Sequence, residues 1–249
     1  MIIPNGFKYN RFNFPVGEMH INITYSERKE VSIFFKFEKN EDLIELLLVV
    51  DALKRYNLNL DFIEMNYVPF SRQDRVANYG DCFSLKVFAD LINSCQARTV
   101  FVTDPHSDVT TALINNCEVV TQDNVFLPYF EDKSDFWLIS PDGGALKKIY
   151  KLAEKVNCAG VIECSKLRNV KTGEITGVTV HKEHPLGYDC YIVDDICDGG
   201  RTFTEIAKEL RKLNTGKIIL MVTHGHFTKG LEVFDGLIDE IYTLSGKVK

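Results

Sequence analysis

Short runs of β-branched and aromatic residues alternate with amphipathic stretches of ten or more residues along most of this chain. Runs such as Thr99–Thr103, Phe136–Ser140 and Lys217–Val222 predict strands, while Ser84–Cys95 and Thr202–Leu213 predict helices. Strands separated by helices of this length pair in parallel, because the crossing helix returns the chain to the same edge of the sheet. The alternation therefore predicts an α/β fold with mostly parallel sheets.

A turn-rich stretch from Gln122 to Ser134 interrupts this alternation near the middle of the chain. We therefore expect two α/β domains, residues 1–127 and residues 128–249, each within the ~100–200 residues usual for one domain. The segment up to Phe37 alternates apolar and polar side chains, which predicts extended structure before the first helix. Ligands bind at the carboxyl ends of strands in open α/β sheets, so functional residues are expected in the loops that follow strands.

The net charge of −6 argues against a broad basic surface for nucleic acid or an anionic membrane, so an anionic substrate needs local cations. No apolar stretch approaches the ~20 residues that span a bilayer. The 7 cysteines include no C-x-x-C pair, and several lie inside apolar runs, which indicates a reducing environment without zinc-finger chemistry. We therefore expect a cytoplasmic protein with small-molecule partners.

The segment Tyr191–Thr202 carries the strongest chemical signal. An apolar strand leads into two adjacent carboxylates, Asp194 and Asp195, which can accept hydrogen bonds from ribose hydroxyls. Gly199 and Gly200 follow, and they allow backbone N–H groups to approach an anion closely at the start of the next helix. The alternative is a plain strand–turn–helix unit with an acidic helix start.

Other loops after strands hold groups that suit a nucleotide and its metal. Arg72 and Gln73 offer a guanidinium fork and an amide to phosphate oxygens and an adenine edge. His106 and Asp142 end two different strands and suit a Mg²⁺ ion completed by water and phosphate oxygens. The polar, glycine-bearing stretch from Asn169 to Gly187 predicts a flexible lid. Taken alone, these groups are better explained by solvated loops and a hydrogen-bonded histidine.

Together, these segments resemble the ribose-phosphate diphosphokinase family, the phosphoribosyl-diphosphate (PRPP) synthetases. The segment at 191–202 resembles the PRPP-binding motif, which type I phosphoribosyltransferases share. The segments that distinguish the diphosphokinases occur here in family order, at near-family spacing: VPFSRQDR at 68–75, TDPHS at 103–107, SPDGG at 140–144, SKLR at 165–168 and THGHF at 223–227.

The resemblance implies two PRPP-synthetase or type I phosphoribosyltransferase-like domains, each with a mostly parallel sheet flanked by helices. It also implies transfer of the β,γ-diphosphate of ATP to the anomeric hydroxyl of a 5-phosphorylated ribose, with Mg²⁺ as cofactor and AMP as the leaving group. Catalysis falls to Lys166 and Arg168, whose charges would neutralise the transferring phosphoryl group. The resemblance also implies that His106 and Asp142 bind the metal. The residues it implies for ATP binding are Phe14, Glu18, Arg72, Gln73, Asp74 and His106. The residues it implies for ribose-phosphate binding are Asp194, Asp195, Asp198, Gly199, Gly200, Arg201 and Thr202.

The family's Phe-x-Asp-Gly-Glu element, which reaches the ATP of a neighbouring subunit, appears here as Phe14–Glu18 with Val16 in place of the Asp. The resemblance thus implies a homo-oligomer, a dimer or an assembly of dimers, with altered base contact.

The sharpest departure lies in the phosphate loop. The family's Asp-Thr-Ala/Gly-Gly-Thr is replaced here by Asp-Gly-Gly-Arg-Thr at 198–202, so Gly199 replaces a hydroxyl residue and Arg201 replaces a glycine. Arg201 would either bind the same monophosphate from the rim or serve a larger 5-substituent, for which Gly199 would leave room. Divergent small relatives of the family use ADP-ribose as acceptor in phage-type NAD⁺ salvage.

Four functions therefore remain open. The first is PRPP formation from ribose 5-phosphate in nucleotide biosynthesis, and the second is the same transfer onto ADP-ribose. A type I phosphoribosyltransferase would share the ribose loop without needing the ATP loop, the metal pair and the Lys166-x-Arg168 segment together. A non-catalytic regulatory relative would be expected to lose the lid or metal residues, which this chain keeps.

Overall fold

A computed structural model of the chain describes residues 1–26, 28–168, 175–181 and 185–249, and of residues 166–168, 175–178 and 181 it describes the backbone. The chain forms two compact units, Met1–Val120 and Thr121–Lys249. The domain boundary expected between residues 127 and 128 falls inside a 3-10 turn, Leu127–Phe130. This turn belongs to the C-terminal unit because the ring of Phe130 stacks on Phe136 with centroids 4.9 Å apart.

The N-terminal unit contains one sheet, one hairpin and three helices among the described residues. Its elements in chain order are β1 (Ile2–Asn5), β2 (Phe7–Asn13), β3 (Met19–Ser26), β4 (Glu30–Phe35), α1 (Glu41–Arg55), β5 (Asn59–Met65), α2 (Ser84–Ser94), β6 (Thr99–Thr103), α3 (Val109–Leu113) and β7 (Cys117–Val120). The sheet order is β1-β4-β5-β6-β7, in which β1 is antiparallel to β4 and all other neighbours are parallel. Strands β2 and β3 form the separate antiparallel hairpin.

The C-terminal unit is built around a larger sheet. Its elements are α4 (Gln122–Phe126), β8 (Phe136–Ser140), α5 (Leu146–Ala153), β9 (Gly160–Arg168), β10 (Ile175–His181), β11 (Asp189–Cys197), α6 (Arg201–Lys212), β12 (Ile218–Gly225), β13 (Glu240–Thr243) and β14 (Gly246–Lys247). The order is β10-β9-β8-β11-β12-β13-β14. The inner strands β9, β8, β11, β12 and β13 are parallel, while β10 and β14 are antiparallel to their neighbours.

Each face of this second sheet buries its own apolar cluster. Ile192 and Leu220 face α6 and pack with its Ile206, and Val193 lies in the cluster that includes Ile149 of α5. The near-continuous apolar run of β11 follows from burial on both faces, which is characteristic of parallel strands. Within the described ranges, no helix has both the length and the apolar character that crossing a membrane requires.

Candidate active site

The loop from β11 to α6 begins its helix at a glycine that no other residue can easily replace. Gly200 precedes Arg201, the first residue of α6, and has φ = 77°. A Cβ atom at Gly200 would lie 2.5 Å from Cζ of Phe234, which is fully buried. The left-handed backbone and the aromatic ring both require glycine here. The C-terminal core therefore fixes the shape of the loop.

The two adjacent carboxylates occupy opposite faces of a strand. Strand β11 continues to Cys197, so Asp194 and Asp195 lie within it rather than after its end. Successive side chains alternate between the faces of a strand, and Val193 faces α5, so Asp195 shares the α5 face and Asp194 the α6 face. Oδ1 of Asp194 accepts a hydrogen bond from the backbone N–H of Asp195 at 3.0 Å.

Asp195 has a cationic partner on the neighbouring helix. The ammonium of Lys148 in α5 lies 3.2 Å from Oδ2 of Asp195, whose side chain is buried. Nothing in the local sequence around Lys148 indicated this pair, because the two residues are far apart in the chain and the contact depends on how α5 packs on the sheet. Lys148 is thus a residue of this region that the sequence did not identify.

The loop between β11 and α6, residues 198–200, is called the acceptor loop. The segment after β12 runs beside it and is hydrogen-bonded to it. The hydroxyl of Thr228 donates to Oδ1 of Asp198 at 2.7 Å, and the backbone N–H of Thr228 donates to the carbonyl of Asp198 at 3.1 Å. The backbone N–H of His226 donates to the carbonyl of Cys197 at 2.8 Å. Helix α6 therefore flanks the loop on one side, and residues 226–229 flank it on the other.

The space beside Gly199 is bordered by a lysine. A Cβ atom at Gly199 would lie 3.3 Å from Cδ of Lys229 and 3.4 Å from its Cε. The sequence suggested that Gly199 leaves room for a larger substituent, whereas the structure puts the methylene chain of Lys229 along that side of the glycine. Arg201 is exposed at the first position of α6, Thr202 is half-buried, and the first turn of α6 carries no acidic residue.

Asp142 holds the turn that leads into helix α5 in the C-terminal unit. Its Oδ1 accepts hydrogen bonds from the backbone N–H groups of Gly144 at 2.9 Å and Ala145 at 3.2 Å, just before α5. His106 is exposed in the loop after β6 of the N-terminal unit. The described residues contain no cluster of three or more His, Cys, Asp or Glu side chains that could hold a metal. His106 and Asp142 belong to different units, and an imidazole and a carboxylate are each possible ligands for Mg²⁺.

The predicted ATP loop is ordered by its own backbone contacts. Phe70 has φ = 62°, and its ring lies 5.8 Å from Phe37 and 6.1 Å from Phe88. The backbone N–H of Gln73 donates to the carbonyl of Phe70 at 2.9 Å, and Oε1 of Gln73 accepts a hydrogen bond from the hydroxyl of Ser84. The amide of Gln73 is therefore engaged at the start of α2.

The flanking residues of that loop differ in exposure. Arg72 is exposed, and the Asp74 carboxylate pairs with Arg75 at 3.1 Å. Arg72 is thus accessible to a ligand, whereas Asp74 serves at least in part to hold the neighbouring arginine.

The tip of the β2–β3 hairpin holds the two predicted base-contact residues. The backbone N–H of Phe14 donates to the carbonyl of Glu18 at 2.8 Å, which closes the turn. The Phe14 ring is 47% exposed and lies 5.2 Å from the ring of Phe12. The hairpin is anchored along β2, where Arg11 pairs with the buried Glu45 of α1 at 2.8 Å.

The two predicted catalytic cations lie at the end of β9. The backbones of Lys166 and Arg168 pair with β10, but their side chains lie outside the described part of the structure. Of the stretch expected to form a flexible lid, residues 169–174 and 182–184 are outside the described residues, and residues 175–181 form strand β10. That strand was not predicted, although five of its seven residues are β-branched, because the whole stretch was interpreted as a polar, glycine-bearing lid.

Comparison with known proteins adds sequence relatives to this geometry. Residues 6–95 match the model for the N-terminal domain of ribose phosphate pyrophosphokinase. The ribose-phosphate pyrophosphokinase of Mycoplasma genitalium is 30% identical over 243 residues, which cover 92% of this chain and 72% of the relative. That of Pyrococcus furiosus is 28% identical over 236 residues, with 92% and 82% covered. That of Mycoplasma pneumoniae is 32% identical over 224 residues, with 86% and 66% covered.

A solved structure supplies the comparison of folds. The phosphoribosylpyrophosphate synthetase of Mycobacterium smegmatis superposes with a TM-score of 0.79 at 21% identity, over 95% of this chain and 80% of that one. This likeness confirms the predicted fold class of two α/β domains with mostly parallel sheets.

Proposed function

The chain belongs to the ribose-phosphate pyrophosphokinase family, and from this premise we propose that it transfers the β,γ-diphosphate of ATP to the anomeric hydroxyl of ribose 5-phosphate. The anomeric oxygen forms a bond to the β-phosphorus, and the bond between that phosphorus and the α,β-bridging oxygen breaks. The hydroxyl proton goes to solvent, AMP leaves with the bridging oxygen, and PRPP is the product.

The acceptor loop is the observation that carries this proposal. Backbone N–H groups of a glycine turn at the start of a helix suit a phosphate, and the loop between Cys197 and Arg201 supplies such a turn in a shape fixed by Phe234. Asp194 on the preceding strand is a carboxylate acceptor for a ribose hydroxyl. The proposal assigns no general base, so positioning and charge neutralisation would provide most of the rate enhancement.

We assign the remaining roles by the motifs that the family shares. Arg72 is exposed and can hold triphosphate oxygens. Lys166 and Arg168 would stabilise charge on the β-phosphoryl group as it transfers. His106 and Asp142 are the residues proposed to hold Mg²⁺, and the ion would supply positive charge to offset that of the triphosphate.

ADP-ribose is the second candidate acceptor, and Arg201 is the observation that favours it. Its guanidinium is exposed at the first residue of α6, next to the turn where the 5-phosphate would dock. Charge-assisted hydrogen bonds from a guanidinium to phosphate contribute roughly 1.5–3 kcal/mol each. A second phosphate on the acceptor would therefore gain about tenfold or more in affinity from this arginine.

The deciding experiment follows AMP release from ATP and Mg²⁺ with each acceptor separately. We expect AMP release that depends on ribose 5-phosphate, and a shift in the ratio of kcat/KM for ADP-ribose against ribose 5-phosphate in Arg201→Gly. A chain that releases AMP with neither acceptor is not a diphosphokinase. If that chain instead consumed PRPP with a free base, the type I phosphoribosyltransferase alternative would replace our proposal. Inactivity in both assays would leave the non-catalytic relative.

A further inference from the structure

Lys229 lies beside the acceptor loop. No function was predicted for it from the sequence. Its Cγ, Cδ and Cε atoms would all be within 3.5 Å of a Cβ atom at Gly199. A hydroxyl residue at this position, which the family has, would contact the lysine chain directly. Gly199 thus leaves a path for the methylenes of Lys229 along the acceptor loop.

The backbone at Lys229 is held in place by its neighbour. Thr228 donates two hydrogen bonds to Asp198, one from its hydroxyl and one from its backbone N–H. The backbone N–H of Gly230 donates to the carbonyl of Phe227 at 2.8 Å, which closes a turn around Lys229. A lysine whose backbone is fixed in this way loses less conformational entropy when its ammonium group binds a ligand.

Among the described residues, Lys229 and Arg201 have no ion-pair partner. None of these residues forms an ion pair or side-chain hydrogen bond with the ammonium of Lys229 or with the guanidinium of Arg201. Many exposed lysines of this chain are paired, as Lys208 is with Glu205 at 2.7 Å and Lys212 with Glu209 at 2.7 Å. In sequence, the nearest carboxylate to Lys229 is that of Glu232, which lies against Gly230. On the acceptor loop, Oδ1 of Asp198 accepts a hydrogen bond from Thr228.

We propose that Lys229 and Arg201 together form a second anion position beside Gly199, which recognises a diphosphate on the 5-position of the acceptor ribose. The glycine turn would take the phosphate attached to C5, and the two cations would take the next phosphate outward. Phe234 fills the space behind Gly200, so a ligand larger than a monophosphate would extend outward along the loop, where it would meet the ammonium of Lys229. The inference rests on the proposed function, because it assumes that the turn holds the 5-phosphate.

The test compares dissociation constants for ADP-ribose and ribose 5-phosphate, measured by calorimetry on the full chain. Lys229→Met keeps most of the methylene packing and removes the charge, and Lys208→Met is the matched control on α6. The expected result is that the ratio of the ADP-ribose constant to the ribose 5-phosphate constant rises about fivefold or more in Lys229→Met. Lys208→Met should keep the ratio of the parent chain within about twofold.

A second variant tests the space beside Gly199. Gly199→Thr brings a Cβ atom to 3.3 Å from Cδ of Lys229, so the lysine has to move, and the ratio should rise in the same direction. An unchanged ratio in Lys229→Met would overturn the proposal, as would an equal loss of affinity for both compounds or a parent chain that does not bind ADP-ribose. AMP release by the parent chain, measured separately, reports whether the proposed reaction itself fails.

Discussion

The ammonium nitrogen of Lys148 lies 3.2 Å from Oδ2 of Asp195 and joins helix α5 to the strand that leads into the acceptor loop. The Asp195 side chain is only 10% exposed, so its charge would be costly without a partner. The pair therefore stabilises the ionised carboxylate and fixes its direction. Under the proposed function, Lys148 would act through Asp195 as a positioning residue.

Lys148→Met should raise the KM for ribose 5-phosphate about tenfold and change the KM for ATP little. The buried Asp195 carboxylate loses a charge-assisted hydrogen bond in this variant, and such a bond contributes roughly 1.5–3 kcal/mol. Lys148→Arg should restore much of the affinity. Steady-state kinetics with each substrate varied in turn gives both constants. A variant with unchanged KM for the acceptor would mean that the pair serves stability alone.

Lys166→Ala and Arg168→Ala should each lower kcat by about a hundredfold or more while changing the KM for ATP little, because their charges act in the transition state. Initial rates of AMP formation at saturating substrates measure this effect. Lys212→Ala, on the exposed face of α6, is the control for removal of a cation. Near-normal turnover in Lys166→Ala would remove its catalytic assignment.

His106→Ala and Asp142→Asn should raise the Mg²⁺ concentration needed for half-maximal rate, because the phosphate-bound cation loses a protein ligand in each variant. The Asn side chain at 142 keeps an oxygen that can accept from the N–H groups of Gly144 and Ala145, so the turn before α5 keeps its hydrogen bonds. Activity measured across a Mg²⁺ titration shows the shift. If both variants follow the curve of the parent chain, the two residues are structural.

The exposed tip of the β2–β3 hairpin should lie over the ATP of a second copy of the chain, as the family resemblance implies. We expect at least a dimer with two-fold symmetry, and Phe14→Ala should raise the KM for ATP about tenfold through lost ring contact. Light scattering at the assay concentration gives the mass. A fully active monomer would contradict the shared site.

The buried carboxylate of Asp123 should make the C-terminal unit sensitive to acid. Burial by itself raises the pKa of Asp123, but hydrogen bonds from Lys155, Thr121 and Lys151 outweigh burial and hold this pKa at about 2. A depressed pKa contributes stability that is fully present above the ordinary carboxyl pKa and is lost as the pH falls toward 2.

Asp123→Asn should therefore lower the free energy of unfolding by roughly 2 kcal/mol at pH 7, with the difference shrinking below about pH 4. Chemical denaturation at pH 7, 5 and 3 follows this change, and Glu205→Gln on exposed α6 is the control. A constant difference at all three pH values would show that ionisation of Asp123 is not the cause.

The alternation of strands and helices was sufficient to predict the fold class, and α6, expected at 202–213, is observed at Arg201–Lys212. The apolar run from Phe62 to Val68 coincides only in part with the observed strand, Asn59–Met65, because Val68 is buried in the loop before Pro69 and does not pair with a strand. Strand β7 was missed because four residues at a sheet edge give too short a pattern.

The candidate site shows the same division between local and distant information. The sequence identified the glycine turn and the carboxylates, which lie next to each other in the chain. It missed Lys148 and Phe234, because the first meets Asp195 from another helix and the second meets Gly200 from a 3-10 turn far along the chain. Contacts of this kind depend on how elements pack, and no local pattern encodes them.

The ring of Phe234 against Gly200 has a consequence for how this acceptor loop can diversify. Since core packing and a left-handed backbone both fix Gly200, a substitution there damages the fold before it alters recognition. Gly199, Arg201 and Lys229 carry no such double constraint, because Arg201 is exposed and a Cβ atom at Gly199 would meet only the flexible side chain of Lys229. New acceptor preferences can therefore arise by mutation at positions around Gly200 with little loss of stability.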